Sequence, residues 1–316
     1  MREFACSARL VIGLLIACAG CVARADVPTV PITIYAAGSL ARPLRAALDS
    51  IAAAGGPRVQ LEVMGSREIL RAVTGLGKTP DIIVSADADE LEREMIPGYV
   101  TTSTTFARNR VVLALSARST KAASVTAANW AESVAGGSLK VARADPGRAP
   151  LGYRTQIVWK LAEAVLQRPG LASKLAAASP ESLLRGNESD LVALLESGDA
   201  DAAWCYESLA RSLKLKYVLL GDHIDLGSEA DSLLYLRAVV RIPGERPGDS
   251  VVVAGMPIRY GMAVVTNGPD VIGATVLRDR LLDSNSTRIM RRAGLNVLDT
   301  LRVTTLSSKL KLTPTQ

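Results

Sequence analysis

The 316-residue chain is poor in the residues on which much enzyme chemistry depends: it has one histidine, four cysteines, two phenylalanines and three tryptophans. Three of the cysteines, Cys6, Cys18 and Cys21, fall in the first 25 residues, which leaves Cys205 alone in the remainder. An intramolecular disulfide framework in that remainder is excluded, and a zinc site built on cysteines and histidines has too few ligands. Stability must come from the core, and 48% hydrophobic residues can supply one. No serine sits in a G-x-S-x-G turn, so a Ser-His-Asp triad using His223 has no supporting signal, and His223 reads as a loop residue. Gly75-Leu76-Gly77-Lys78-Thr79 ends like a phosphate-binding loop, but that pattern needs its first glycine where Ala72 stands. Lysine and arginine exceed acidic residues to give a formal charge of +6, yet they are scattered and not interleaved with aromatics. Nothing in that distribution suits a nucleic-acid surface.

The N-terminus reads as a leader. Arg2 and Arg9 precede an apolar stretch over residues 10–19, and Ala23-Arg24-Ala25 has the form of a signal cleavage site, so residues 1–25 are expected to be a signal peptide. Leu15-Ile16-Ala17-Cys18 also has the form of a lipobox, which would end a lipoprotein leader at Ala17 and attach a lipid to Cys18. Both readings place the body outside the cytoplasm. No later apolar stretch approaches the roughly 20 residues that span a bilayer.

What is present is a repeated grammar. Ile32-Thr33-Ile34-Tyr35 is an alternating strand that stops at Gly38-Ser39, where a helix pattern begins over residues 40–53. Leu61-Glu62-Val63-Met64 stops in the same way at Gly65-Ser66, before a helix over 67–75. A serine at each helix start is expected as the N-cap, and a helix N-terminus with free amides suits an anion. Further along, Pro150-Leu151-Gly152 and Gly186-Asn187-Glu188 are loop-to-helix starts, and Tyr206 ends a strand with a phenolic donor. Such groups gather where α/β sheets bind ligands, beyond the carboxyl ends of their strands.

Strand and helix patterns alternate from Pro31 onward, which predicts an α/β fold with mostly parallel sheet. Strands are expected at 32–37, 60–64, 81–85, 109–116, 138–145, 200–206, 233–242, 250–254 and 260–265. The Thr-rich stretch 101–105 reads as a connection, and two helices, 269–282 and 286–293, end the fold before a polar tail. A crossover near residue 109 and a return near 260 make one domain interrupt another. The expected division is lobe I at 26–108 plus 260–316 and lobe II at 109–259, with a cleft that opens and closes.

These segments resemble the molybdate/tungstate-binding proteins of ABC uptake systems, in particular the tungstate-type branch. The resemblance runs in order through Ala36-Ala37-Gly38-Ser39-Leu40, Gly65-Ser66-Arg67-Glu68, Asp81-Ile82-Ile83-Val84-Ser85-Ala86-Asp87, Asp145-Pro146, Gly152-Tyr153-Arg154, Asn187-Glu188, Tyr206 and Tyr260-Gly261. It implies a type II periplasmic-binding-protein fold, two Rossmann-like lobes with a central ligand cleft. It also implies oxyanion ligands at Ser39, Ser66 and Tyr206, and at the backbone N–H groups of Leu151 and Glu188. The tungstate-type branch completes a six-coordinate metal with two carboxylates, and here those places hold Ala149 and Cys205. Asp145 and Glu207 are the nearest carboxylates and the candidate metal ligands; without them the anion stays tetrahedral, held by hydrogen bonds.

The implied function is capture of molybdate or tungstate outside the cytoplasm and delivery to an ABC permease, by a monomer with no cofactor and no catalysis. The alternative is a binding protein for another oxyanion, sulfate-like or organic. An enzyme on the same scaffold would need a proton-transfer pair, and Glu207 with His223 is the one available.

Overall fold

The structure is a computed structural model that describes residues 30–244 and 248–307. The expected leader, the cleavage site before Asp26 and Cys18 lie outside the described residues. The chain runs through β1 (Ile32–Ala37), α1 (Ala41–Ala53), β2 (Val59–Met64), α2 (Ser66–Thr74), β3 (Ile82–Ser85), α3 (Ala88–Met95) and β4 (Thr102–Asn109). It then passes to β5 (Val111–Leu115), α4 (Trp130–Ala135), β6 (Val141–Ala144), α5 (Pro150–Val165), α6 (Leu171–Ala177) and β7 (Leu184–Arg185). There follow α7 (Glu188–Ser197), β8 (Ala202–Tyr206), α8 (Glu207–Ser212), β9 (Lys216–Leu219), α9 (Ser232–Tyr235), β10 (Val239–Pro243) and β11 (Ser250–Ala254). The last elements are β12 (Ile258–Val264), α10 (Val271–Leu281), α11 (Ser284–Arg292) and β13 (Asn296–Thr305).

Two sheets result, one ordered β13-β4-β12-β3-β1-β2 and one ordered β7-β6-β8-β5-β9, with β10 and β11 paired as a separate antiparallel hairpin. The chain leaves the first sheet at Asn109 and enters the second at Val111, with Arg110 alone between them at this crossing, and it returns to the first sheet at β12. Each sheet has a parallel trio, β2-β1-β3 and β7-β6-β8. The expectation of mostly parallel sheet is corrected, because β12 runs against β3 and β4, and β5 against β8 and β9. Parallel neighbours need a crossover element between them, whereas β5 and β12 arrive from elsewhere in the fold and insert in the opposite sense.

Strand composition follows the burial this layering imposes. The central strands β3 (IIVS) and β5 (VVLAL) are buried along their whole length, as strands covered on both faces are. In α1, Ala41, Leu44, Ala47, Leu48 and Ile51 fall at helical spacing and form the buried stripe. Each such Leu or Ile side chain contributes about 1.5–3 kcal/mol of burial. The second sheet's core is centred on Trp204, whose ring meets Trp130 at 5.9 Å and Trp159 at 6.0 Å, both edge to face.

Three local expectations also change. Residues 102–105 begin β4, with Ser103 and Thr105 buried between flanking strands, so threonine's β-propensity outweighs the polarity that suggested a connection. Residues 232–235 form α9, and the strand there starts at Val239. The expected polar tail contains β13, an edge strand on β4 with a register shift between Val297 and Arg302. An edge strand needs one partner and one covered face, so its pattern is diluted with polar residues.

Candidate oxyanion site

The predicted site residues lie at the carboxyl ends of the two parallel trios. Gly38–Leu40 is a 3-10 turn after β1, and Ser66 opens α2 after β2. Leu151 is in the first turn of α5 after β6, Glu188 opens α7 after β7, and Tyr206 ends β8. All five are buried. The expectation that the two serines are N-caps is overturned. Ala37 and Gly65 occupy those positions, and Glu68 accepts the Gly65 N–H at 3.0 Å, so each serine sits one or two residues further in with its hydroxyl released from capping.

Those hydroxyls are occupied as acceptors. The Tyr260 hydroxyl accepts from Asn109 Nδ2 and donates to Ser39 Oγ at 3.1 Å. The Ala86 N–H donates to Ser66 Oγ at 2.9 Å, and Arg154 Nη1 donates to the Tyr206 hydroxyl at 2.8 Å. None of the three donates its own proton to an acceptor among the described residues. Burial raises the pKa of Tyr206 and Tyr260 well above the usual phenol range, so both stay protonated. The two rings meet edge to face at 5.9 Å, which ties the Tyr206 end of the site to the Ser39 end. Among the described residues, the first-turn amides of Leu151 and Glu188 donate to no carbonyl outside their helices, as helix starts generally leave them. The arrangement is a set of polarised neutral donors, the kind that holds an anion without a counter-cation.

Residues that sequence reasoning gave no role hold the two halves together here. Arg154, buried on α5, forms an ion pair with Asp87 at 2.9 Å and donates to the Ala86 carbonyl at 2.6 Å. The Tyr153 hydroxyl donates to the same Asp87 carboxylate, whose other oxygen caps α3 through Glu90 N at 2.9 Å. A buried pair of this kind adds little net stability, but loss of one partner strands the other charge at a cost of about 3–5 kcal/mol. Arg67, on α2, pairs with Glu90 at 3.0 Å and reaches the carbonyls of Pro146 and Pro243. The backbones approach closely at Gly65, where a Cβ would lie 2.3 Å from the Arg148 carbonyl oxygen. One sequence signal for Arg154 was available: an arginine set in the largely apolar helix α5 has to find partners inside the fold.

The two candidate metal ligands are directed elsewhere. Asp145 Oδ1 accepts the Gly147 N–H at 2.7 Å, fixing the turn before α5. Glu207 pairs with Arg110 at 3.3 Å and accepts from the Tyr217 hydroxyl at 3.2 Å, on the β5–β9 side of β8. Nor does Glu207 reach His223, which lies beside Asp231 at 3.0 Å, so the proposed proton-transfer pair is not assembled. At the substituted positions, Ala149 is fully buried as the N-cap of α5. Burial pushes the Cys205 thiol up to about 12, with Glu188 adding to the shift, so it is a neutral small side chain.

Glu188 departs from its expected role as a bare amide. Its carboxyl is buried, and neither oxygen bonds another residue among the described residues. Burial raises its pKa to about 7, offset in part by its own amide and by Arg154.

Two αβ lobes, joined by extended crossings and presenting neutral donors at the carboxyl ends of both sheets, define a two-lobed solute-binding protein. The family model for bacterial extracellular solute-binding proteins matches residues 32–296, and the chain belongs to that family. An uncharacterized solute-binding protein of Petrotoga mobilis is 34% identical over 87% of this chain and 86% of its own length. The molybdate/tungstate-binding protein WtpA of Pyrococcus abyssi is 27% identical, over 73% of this chain and 72% of its own. Among solved structures, the periplasmic molybdate-binding protein of Azotobacter vinelandii superposes with a TM-score of 0.60. It is 16% identical, covering 85% of this chain and all of that one, which shows the common fold.

Proposed function

We propose that the protein captures a molybdate or tungstate dianion between its lobes, outside the cytoplasm, and delivers it to an ABC permease. The observation that carries this reading is the state of three buried hydroxyls. Those of Ser39, Ser66 and Tyr206 each accept a hydrogen bond from the protein and keep a proton for a ligand. Relatives with that ligand in their name support the choice of anion. The amides of Leu151 and Glu188 complete the donor set. The lobes are residues 26–108 with 260–316, and 109–259. The protein acts as a monomer without catalysis, after removal of residues 1–25 or lipid attachment at Cys18.

With Asp145 and Glu207 engaged by Gly147 and Arg110, the bound anion stays tetrahedral, and size is the main basis for discrimination. That same observation favours a second reading, a binding protein for a smaller tetrahedral anion such as sulfate. Isothermal titration of the ligand-free protein with molybdate, tungstate and sulfate separates the two. Heat with the first two and none with sulfate supports the first reading, the reverse supports the second, and silence with all three refutes both.

A further inference from the structure

We propose that the far end of the second sheet carries a separate ligand site, which takes a phosphate monoester borne on a short apolar body. A cavity of about 460 Å³ opens there among the end of β5, the end of α7 and the turn from α8 to β9, a size that suits a small organic molecule. Leu115, Leu195 and Leu215 give it an apolar lining, the first two buried and the third half-buried. Three cations, Arg118, Lys214 and Lys216, also line it, against Glu196 as the one acidic residue. In the β5–β8 pair Leu115 lies opposite Ala202, and Val111 opposite Tyr206. The cavity and the oxyanion site are therefore at opposite ends of that pair, about 13 Å apart along the strands.

The cations are held in place by the backbone and left without partners. Lys214 follows the C-cap of α8 with a φ of 55°, its N–H bonded to the Arg211 carbonyl at 3.1 Å and that of Leu215 to the Ala210 carbonyl at 2.9 Å. That is the left-handed position where a helix end usually carries glycine, and a lysine there costs stability that glycine would not. The Arg118 stem packs across Gly198, where a Cβ would lie 3.3 Å from its Cδ. Among the described residues neither the Arg118 guanidinium nor the Lys214 ammonium has a hydrogen-bond or ion-pair partner. Lys216 donates to the Ala123 carbonyl at 3.2 Å, which fixes it at the rim. Three cations against one carboxylate leave an excess of two positive charges, which matches the charge of a phosphate monoester near neutral pH, about −1.5 to −2. The leucines take the apolar body, which a bare inorganic anion would leave uncovered.

Butyl phosphate and inorganic phosphate are titrated calorimetrically into the purified protein in excess molybdate, and the protein is sedimented with phosphatidylcholine vesicles with and without phosphatidic acid. The expected result is binding of butyl phosphate, of the phosphatidic acid vesicles, or of both, weakening as salt is raised. Binding of the soluble ester alone assigns a soluble ligand, and binding of the vesicles alone a lipid headgroup. Lys214→Gly removes one cation and relieves the left-handed backbone, so it is expected to be at least as stable to heat as the native protein while losing about fivefold in affinity. Arg118→Gln is expected to lose as much. Binding of neither probe, native affinity in either variant, or inorganic phosphate bound as tightly as butyl phosphate overturns the proposal, and none of these results bears on the oxyanion reading.

Discussion

If the proposed oxyanion site is right, replacing Ser39 or Ser66 by alanine removes one donated hydrogen bond to the anion and little else from the cleft. A hydrogen bond to a charged group contributes about 1.5–3 kcal/mol, so each variant is expected to bind molybdate roughly 10- to 150-fold more weakly. The two variants differ in what they leave behind. Ser39→Ala strips the buried Tyr260 hydroxyl of its acceptor, while Ser66→Ala strips the Ala86 amide, and either loss costs folding stability about 1–3 kcal/mol. Binding and stability effects are separated with Tyr260→Phe. That change leaves Asn109 bonded to Ser208 Oγ at 2.7 Å but removes the donor that orients Ser39. Tyr260 acts on the anion through Ser39, so Tyr260→Phe is expected to weaken binding less than Ser39→Ala, and the double variant no more than Ser39→Ala alone. Calorimetric titration measures the affinities and urea unfolding the stabilities. Native affinity in both serine variants, or additive binding effects of Ser39→Ala and Tyr260→Phe, refutes the reasoning.

Other changes test the remaining geometry. Gly65→Ala keeps a permitted backbone conformation, with φ of −68°, but its Cβ would lie 2.3 Å from the Arg148 carbonyl oxygen, a clash that lobe opening would relieve in the reading proposed above. It should weaken molybdate binding by about tenfold or more while thermal unfolding of the ligand-free protein moves by no more than a few degrees. Asp145→Ala and Glu207→Ala should leave the affinity for molybdate within about twofold of native, because both carboxylates bond protein partners, Gly147 and Arg110; a large loss in either would make it a ligand. Asp225 is a carboxyl whose burial raises its pKa from 3.8 to about 6. Between those values the folded state binds more protons than the unfolded one, so this group's stabilising contribution, complete below the unfolded pKa, falls as pH rises through about 6. The full change amounts to about 2–3 kcal/mol. Asp225→Asn should flatten that part of the stability profile in urea unfolding between pH 4 and 7, and an unchanged slope would assign it to other groups.

The units that sequence pattern located best are those with strict local grammar. β1, β2 and the helices after them are marked by alternation followed by Gly-Ser, and α5 and α7 by proline and Asn187 at their starts. Less legible were elements defined by distant partners. β13 exists because β4 offers an edge, and the antiparallel insertion of β5 and β12 follows from where the chain crosses, neither of which is written in local composition. The same divide runs through the site. Ser39, Ser66 and Tyr206 were visible at strand ends, but their hydrogen-bond roles depend on Tyr260, Ala86 and Arg154, which are 221, 20 and 52 residues away. The carboxylates nearest in sequence to the substituted positions, Asp145 and Glu207, each bond a protein partner that the sequence pattern does not mark. Sequence distance carries no information about which way a side chain turns, and Glu207 turns to Arg110.

All three tryptophans of the chain, Trp130, Trp159 and Trp204, stack together against the second sheet. Intrinsic tryptophan fluorescence therefore watches one half of the molecule and is blind to the other. An unfolding curve recorded by that emission reports the second lobe, and it agrees with a curve from far-ultraviolet circular dichroism only if both lobes come apart together. A native protein in which the first lobe loosens alone would show no change in its tryptophan emission, so the two signals, taken side by side, measure how tightly Arg110 and the buried Arg154–Asp87 pair couple the halves into one cooperative unit.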